Sequence, residues 1–345
     1  MRRIALVDYG KLELQNGIAE IKELQQGTVK IAVKACSICG SDIALYRGQR
    51  SLKDERYFGH EFSGIVTDAG TQANGIKVGM RVASELSRTC GQCWNCLNGL
   101  KNYCKSMNNA LLPGGFSEET LVLNTPEYSF LSQIPDSLDF ETAALLEPTN
   151  CAFRIAHQAN ITPGGSVVIF GLGAMGIISA LILKSLGARK VVGVDRSLQR
   201  LQKLRSLSLI DVVNGNDTNW LEQVQEMTSS KGADIVIEAT GATSVLGDVF
   251  KTVRPGGRIV VASVYHAPAG DLTLLPIMRK ELTIVGAKGP YPHITSEGKS
   301  IPVQIMMKLQ KELQKLVTVY DYKDALQAFE DAMSGTAIKA VIRFN

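Results

Sequence analysis

Residues 166–195 read SVVIFGLGAMGIISALILKSLGARKVVGVD, and this stretch decides the fold class. A short run of apolar, β-branched residues predicts a buried strand, an apolar stretch over 174–186 predicts a helix, and KVVGVD predicts a second strand. Between the first strand and the helix lies Gly171-Leu172-Gly173-Ala174-Met175-Gly176. A GxGxxG pattern alone is weak, since glycines also collect in plain turns. Here a strand precedes it, a helix follows, and Asp195 closes the next strand. Each part has a mechanical reason. Gly171 permits the tight turn, Gly173 admits a pyrophosphate to the backbone, and Gly176 lets helix and strand pack closely. The helix start offers free N–H groups and a positive dipole end to phosphates. Asp195 is expected to accept hydrogen bonds from ribose hydroxyls and to repel a 2′-phosphate. NAD is therefore favoured over NADP, although Arg196 follows immediately and softens the preference. Arg200 and Thr240 complete the expected cofactor contacts.

Outward from this stretch, strands alternate with helices over about 164–288: DVVN, NWLEQVQEMTSS, ADIVIEATG, a short helix near 245–252, GRIVVAS and ELTIVGA. That alternation predicts a parallel sheet covered on both faces. GRIVVAS and ELTIVGA, near the end of the unit, are candidate edge-pairing segments. Residues 1–150 differ, with short apolar runs (TVKIAVKA, FSGIVTDAG, MRVAS, ETLVLN) broken by glycine and turn residues. They predict an irregular β module. Residues 289–345 carry helical stretches at 303–316 and 322–334 and a final apolar strand, KAVIRF, and are expected to return to the first domain. The chain is thus divided into 1–150, 151–288 and 289–345, an α/β two-domain class without internal repeats.

The bulk numbers exclude several classes. The chain has 345 residues, 45% hydrophobic and 20% charged, with a net charge of +4. Lys and Arg are dispersed, which leaves no phosphate track for nucleic acid. The longest apolar runs are too short and too often interrupted to span a bilayer. The N-terminal stretch lacks an apolar secretory core, so a cytoplasmic location is expected. Thiols stay reduced in that compartment, and seven cysteines is an odd number, so clustered cysteines point to metal or catalysis rather than disulfides.

Two metal signals stand apart. Cys90, Cys93, Cys96 and Cys104, in a lobe at 87–105, can close a tetrahedron of four thiolates, which leaves no open position and suits a structural ion. Cys39, His60 and Glu147 come from distant segments and offer one thiolate, one imidazole and one carboxylate. Such a three-ligand site keeps a position free, as catalytic zinc requires.

The motifs CGSD at 39–42, GHEFSGIVTDAG at 59–70, the four-cysteine lobe, GGFSEE at 114–119, LLEP at 145–148, GLGAMG at 171–176, EATG at 238–241 and RPGGR at 254–258 occur in this order. In them the chain resembles the zinc-containing medium-chain dehydrogenases of the alcohol, sorbitol and threonine dehydrogenase type. The resemblance implies a GroES-like catalytic domain, a Rossmann coenzyme domain and two zinc ions per chain. It assigns Cys39, His60 and Glu147 to catalytic zinc, with Glu147 bound directly or through a water. Glu61 becomes the adjacent carboxylate and an occasional alternative ligand, and Ser41 the hydroxyl that takes the substrate proton. Zinc then acts as a Lewis acid on the substrate hydroxyl, and hydride passes to NAD. The family is commonly dimeric or tetrameric.

Departures from the pattern matter too. The family's relay histidine is replaced by Ala44, so a water, the nicotinamide ribose or Tyr46 must finish proton export. Cys36 reads as a buried thiol rather than half of a redox pair. Cys151 is expected to pack near the site and His157 to be a packing or surface residue. His293 is a possible cleft residue, and His266 lacks company. Glu147 and CGSD lean toward a polyol, sugar alcohol, sugar acid or cyclitol substrate; a phosphorylated polyol or an amino-alcohol is the alternative. The cations Arg47, Arg50, Lys53 and Arg56 read first as a solvated loop with Asp54 and Glu55, and second as a site for a substrate anion.

Overall fold

The structure is a computed structural model. It describes the chain except residues 18–23, 25, 52–57, 72, 74, 86–88, 106–113, 126–130, 229, 266, 271, 294, 296–298 and 345. Lys53, Asp54, Glu55, Arg56 and His266 lie outside the described residues. The chain divides into two compact units, Met1–Asn150 with Pro290–Asn345, and Cys151–Gly289.

The second unit holds a six-stranded parallel sheet in the order Asp211–Asn214, Lys190–Asp195, Ser166–Phe170, Ala233–Glu238, Val253–Val261 and Thr283–Gly286. Numbered within the unit this is 3-2-1-4-5-6, the dinucleotide-binding order, whose switch point lies between the first and fourth strands. Ser166–Phe170 is buried at every position, as a strand with helices on both faces must be. The glycine turn works by close approach. A Cβ on Gly176 would lie 1.9 Å from the Gly171 carbonyl oxygen. Gly171 itself has φ +90°, and its Cβ would meet the Ala239 carbonyl at 2.8 Å. Of the two candidate edge segments, only Thr283–Gly286 is an edge. GRIVVAS is a correction, because its strand, Val253–Val261, is paired on both sides. Lys280 donates from Nζ to the carbonyls of Phe250 (2.7 Å) and Val253 (2.8 Å), capping the end of the helix Leu246–Thr252 with a cation.

The first unit is built on a mostly antiparallel sheet in the order Val317–Asp321, Lys339–Arg343, Thr28–Ser37, Glu61–Ala69, Arg81–Ser84 and Leu131–Gln133, with Glu119–Leu123 also pairing Thr28–Ser37. Inward residues of these strands (Val29, Ile31, Val33, Phe62, Val66) join Phe58, Phe116 and Phe329 in one core. The final strand runs antiparallel to Thr28–Ser37, with Val341 opposite Ser37 and Ile342 opposite Cys36. The return segment therefore supplies a neighbour to the strand that ends just before Cys39. The strand Val317–Asp321 was not apparent in the sequence. It is a five-residue edge strand without a fully buried position, and it continues directly from the helix before it.

Candidate active site and metal centres

Cys39 caps the N-terminus of the short helix Gly40–Tyr46. The polar, turn-forming CGSD follows the strand Thr28–Ser37 and opens this helix, leaving the cysteine half-buried at the junction. His60 lies just before the strand Glu61–Ala69. It follows Gly59, which has φ +76° and whose Cβ would lie 2.6 Å from the Phe116 backbone nitrogen. Only glycine lets the chain turn there, and the turn delivers His60 inward. Asp42 joins the two segments. Its carboxylate accepts the N–H of Cys39 (2.9 Å) and of Gly59 (3.1 Å) and lies 3.8 Å from His60 Nδ1.

The donor atoms of Cys39, His60 and Glu61 all lie within 4.8 Å of one another. Glu147, buried in the first turn of the helix Leu146–Ala159, lies outside that tight set, yet its charge acts on His60. Burial works against protonating His60, but the Cys39 thiolate, Asp42 and Glu147 outweigh it and hold the imidazole well above its ordinary range. Burial, and after it Glu61, raises the Cys39 thiol; His60 opposes them. Four acidic groups thus surround one imidazole in a dry site. This donor set suits a divalent cation, since buried anions need a positive partner.

Ser41 is half-buried, two residues past Cys39. Tyr46 is half-buried at the end of the helix Gly40–Tyr46. Its ring packs 6.0 Å from that of Phe329, within the apolar core. Five helical residues turn the chain by about 500°, so Ser41 and Tyr46 face different ways. Cys36 is fully buried, and burial raises its thiol well above the usual range, which makes it inert. Cys151 packs against Gly289. His157 is exposed beside Phe153, and His293 is buried against the Tyr291 ring at 4.7 Å. Arg47 is exposed and Arg50 half-buried.

The donor atoms of Cys90, Cys93, Cys96 and Cys104 form the second tight set, and none of the seven cysteines is in a disulfide. Backbone N–H groups point at the sulfurs: Cys90 to Cys104 at 3.2 Å, Cys93 to Cys90 at 3.4 Å. The N–H groups of Gln92 and then Cys93 lower the Cys90 thiol to about 6, whereas burial and then Cys93 push Cys96 up to about 12. The lobe has little core. Trp94 and Leu97 are 64% and 73% exposed on a single-turn helix. Four thiolates closing on an ion would supply the cohesion that the apolar contacts do not.

In the second unit a cavity of about 320 Å³ opens at the switch point, lined by Phe170, Gly171, Gly173, Asp195, Trp220 and Thr240. Arg196 and Arg200 also line it. A Cβ on Gly173 would meet nothing within 4 Å, and no side chain caps the helix Ala174–Ser185, so its first N–H groups are open to a phosphate. Leu172, Ala174 and Met175 complete the turn: Leu172 is buried in it, and Ala174 and Met175 start the helix. Asp195 Oδ2 accepts the Leu172 N–H (2.7 Å) and Arg200 Nη1 (2.9 Å), while Oδ1 accepts the Ser197 N–H (2.8 Å). With about four lone-pair sites on a carboxylate, one remains for a ribose hydroxyl. Sequence reasoning missed the roles of Asp42, Trp220 and Glu238. The Glu238 carboxylate accepts the N–H groups of Thr240 (2.6 Å) and Gly241 (3.1 Å) and the Tyr265 hydroxyl (2.5 Å), fixing the turn beside the cavity. It also missed Lys339, which reaches Glu61 from the final strand.

Among the described residues no helix is long and apolar enough to cross a membrane. The family described as alcohol dehydrogenase GroES-like domain matches residues 25–136, and that described as zinc-binding dehydrogenase matches 174–297. A protein named probable D-xylulose reductase A, from Neosartorya fischeri, is 32% identical over 339 residues, 94% of this chain and 91% of that one. D-xylulose reductase A of Aspergillus oryzae is 30% identical over 325 residues, 91% and 88% of the two chains. The crystal structure of 2R,3R-butanediol dehydrogenase from Bacillus subtilis superposes with a TM-score of 0.82 at 27% identity, covering 100% of this chain and 99% of that one. The chain belongs to the zinc-containing medium-chain dehydrogenases, in their polyol branch, and is an enzyme of the alcohol dehydrogenase type.

Proposed function

We propose that the protein oxidises one secondary hydroxyl of a polyol or sugar alcohol that carries a neighbouring hydroxyl, reversibly and with NAD. The carrying observation is the buried Cys39–His60–Glu61 cluster with the Glu147 charge beside it. D-xylulose and 2,3-butanediol, in the names of the relatives, both bear oxygen on neighbouring carbons, which suits a carboxylate-rich site. Zinc held by Cys39 and His60, with Glu147 as direct or water-bridged third donor, would supply a Lewis acid that lowers the pKa of a substrate hydroxyl. NAD would supply the hydride acceptor. The Asp42 carboxylate, 3.8 Å from His60 Nδ1, adds a negative charge beside the ring and ties down the backbone of Cys39 and Gly59. Ser41 Oγ takes the proton. Tyr46 is packed into the core, so a water or the nicotinamide ribose is the better carrier onward. The cysteine lobe holds a second, structural zinc.

The Asp195 carboxylate supports NAD over NADP, since Arg200 is already engaged by it. Among the described residues the edge Thr283–Gly286 is unpaired; it presents Ile284, 40% exposed, and follows the exposed Leu274, Leu275 and Met278. That edge supports a homo-oligomer paired through this strand. Seven free cysteines support a reducing, cytoplasmic location.

The test is NADH absorbance on mixing zinc-loaded protein, NAD and matched polyols with and without phosphate. Reduction of NAD by a vicinal polyol is expected, with turnover lowered in Ser41→Ala at unchanged zinc content. No reduction by any polyol overturns the reading.

A further inference from the structure

A fully buried carboxylate stands at the carboxyl end of the fourth strand of the parallel sheet, and it ties together two loops. Glu238 divides its oxygens between them. Oε1 accepts the N–H groups of Thr240 (2.6 Å) and Gly241 (3.1 Å) and the Thr240 hydroxyl. Oε2 accepts the hydroxyl of Tyr265, just past the strand Val253–Val261, at 2.5 Å. Burial, and after it Glu238, holds this phenol well above its ordinary range, so it stays a donor. The backbone follows the same seam. The Ala262 N–H donates to the Glu238 carbonyl at 2.9 Å. Gly241, at φ +71°, comes so close that a Cβ on it would lie 2.7 Å from the Val264 carbonyl oxygen. The loop after the fifth strand is therefore pinned onto the turn after the fourth.

That turn faces the nucleotide cavity, which Ala239, Thr240 and Ala242 help to line. In a sheet of this order a dinucleotide lies across the carboxyl ends of the strands, one mononucleotide to each half. The first half carries the glycine turn and Asp195, which suit the pyrophosphate and the adenosine ribose. The second half, to which Glu238 and Tyr265 belong, is left for the nicotinamide nucleotide. Two loops that must keep one spacing around a ligand bind it more tightly when that spacing is set beforehand, because less order is lost on binding. We propose that Tyr265 is a positioning residue for the nicotinamide half of the coenzyme: through Glu238 it holds the loop at 262–265 and the turn at 239–242 at the spacing which that half requires. This rests on the NAD reading. A pair that serves only to stabilise the sheet is the competing account.

NADH and ADP-ribose separate the two, because ADP-ribose keeps the adenosine and pyrophosphate but has no nicotinamide. Tyr265→Phe removes one oxygen and keeps the ring. NADH binding is expected to weaken about tenfold, the lower end of what a hydrogen bond to a charged group is worth, while ADP-ribose binding is unchanged. At saturation the NADH emission, which reports the surroundings of the reduced ring, is expected to move back toward that of free NADH. In a Glu238→Gln background Tyr265→Phe should cost less than it does alone, since the two residues act as one unit. Where Tyr265→Phe does not fold, Glu238→Gln, which keeps an acceptor for the Thr240 and Gly241 N–H groups, is read in the same way. Unchanged NADH affinity overturns the proposal, as does an equal loss of ADP-ribose affinity or the same cost of Tyr265→Phe in both backgrounds. Binding of neither ligand by the unaltered protein overturns the NAD reading itself, and this proposal with it.

Discussion

Asp42 Oδ1 lies 3.8 Å from His60 Nδ1, and the same carboxylate accepts the backbone N–H groups of Cys39 and Gly59. One buried side chain thus ties together the two backbone segments that carry Cys39 and His60. Asp42→Ala strands two buried N–H groups at about 1–3 kcal/mol each and loosens the backbone that presents Cys39 and His60. A fall in zinc affinity at the Cys39 site of about 10–100-fold is expected, together with a lower melting temperature. Metal titration of the purified variant checks it, and an unchanged affinity removes Asp42 from the site.

The two glycines of the nucleotide turn should fail differently. Gly176→Ala puts a methyl 1.9 Å from a backbone carbonyl, so the helix must shift, at a cost of about 1–3 kcal/mol, and the protein should melt lower even without coenzyme. Gly173→Ala enters open space, so stability should hold while NADH binding weakens. Melting curves alongside NADH fluorescence titrations distinguish the pair; equal destabilisation of both would contradict the assignment.

Asp195→Ser should lose a charged hydrogen bond to the ribose worth about 1.5–3 kcal/mol, or roughly 10–100-fold in NAD affinity. It also frees Arg200 from its 2.9 Å pair, so relative use of NADP should rise. The ratio of kcat/KM for the two coenzymes is the readout, and a ratio that does not move argues against Asp195 as the selector.

Removal of one lobe thiolate, in Cys96→Ser, should cost one metal equivalent per chain and lower thermal stability. The catalytic equivalent should stay bound, because the lobe donors are separate from Cys39 and His60. Elemental analysis showing two equivalents retained would count against the four-cysteine site.

Acid sensitivity should come in part from Asp234. Burial pushes its carboxyl up, but the Ser166 N–H and hydroxyl and the Arg254 guanidinium outweigh burial and lower it to about 2. The folded value is depressed, so the stabilisation is present above the unfolded value near 4 and fades as pH falls toward 2. The pair is partly exposed, which limits the contribution to about 1–2 kcal/mol after screening. Asp234→Asn should lower stability at neutral pH and flatten its decline between pH 4 and pH 2, as denaturant melts at stepped pH will show.

Much of this was legible before any coordinates. The turn at 171–176, its flanking strands and Asp195 form one local unit whose spacing is dictated by helix and strand geometry. The lobe cysteines are close in sequence as well as in space. Tyr46 shows where such reading ends. Its position near CGSD suggested a proton relay, but helix periodicity turns its ring onto Phe329. GRIVVAS likewise resembles any buried strand, and nothing local marks which strand of a parallel sheet is last.

By itself the sequence determined the α/β class, the dinucleotide turn and the four-cysteine set, because each is carried by residue types at short, mechanically required spacings. Only the tertiary structure decided that Lys339 lies against Glu61, 278 residues away. That contact depends on the register between the final strand and Thr28–Ser37. Register across so long a separation is chosen by burial on both faces of a completed sheet, and no local pattern around KAVIRF encodes it.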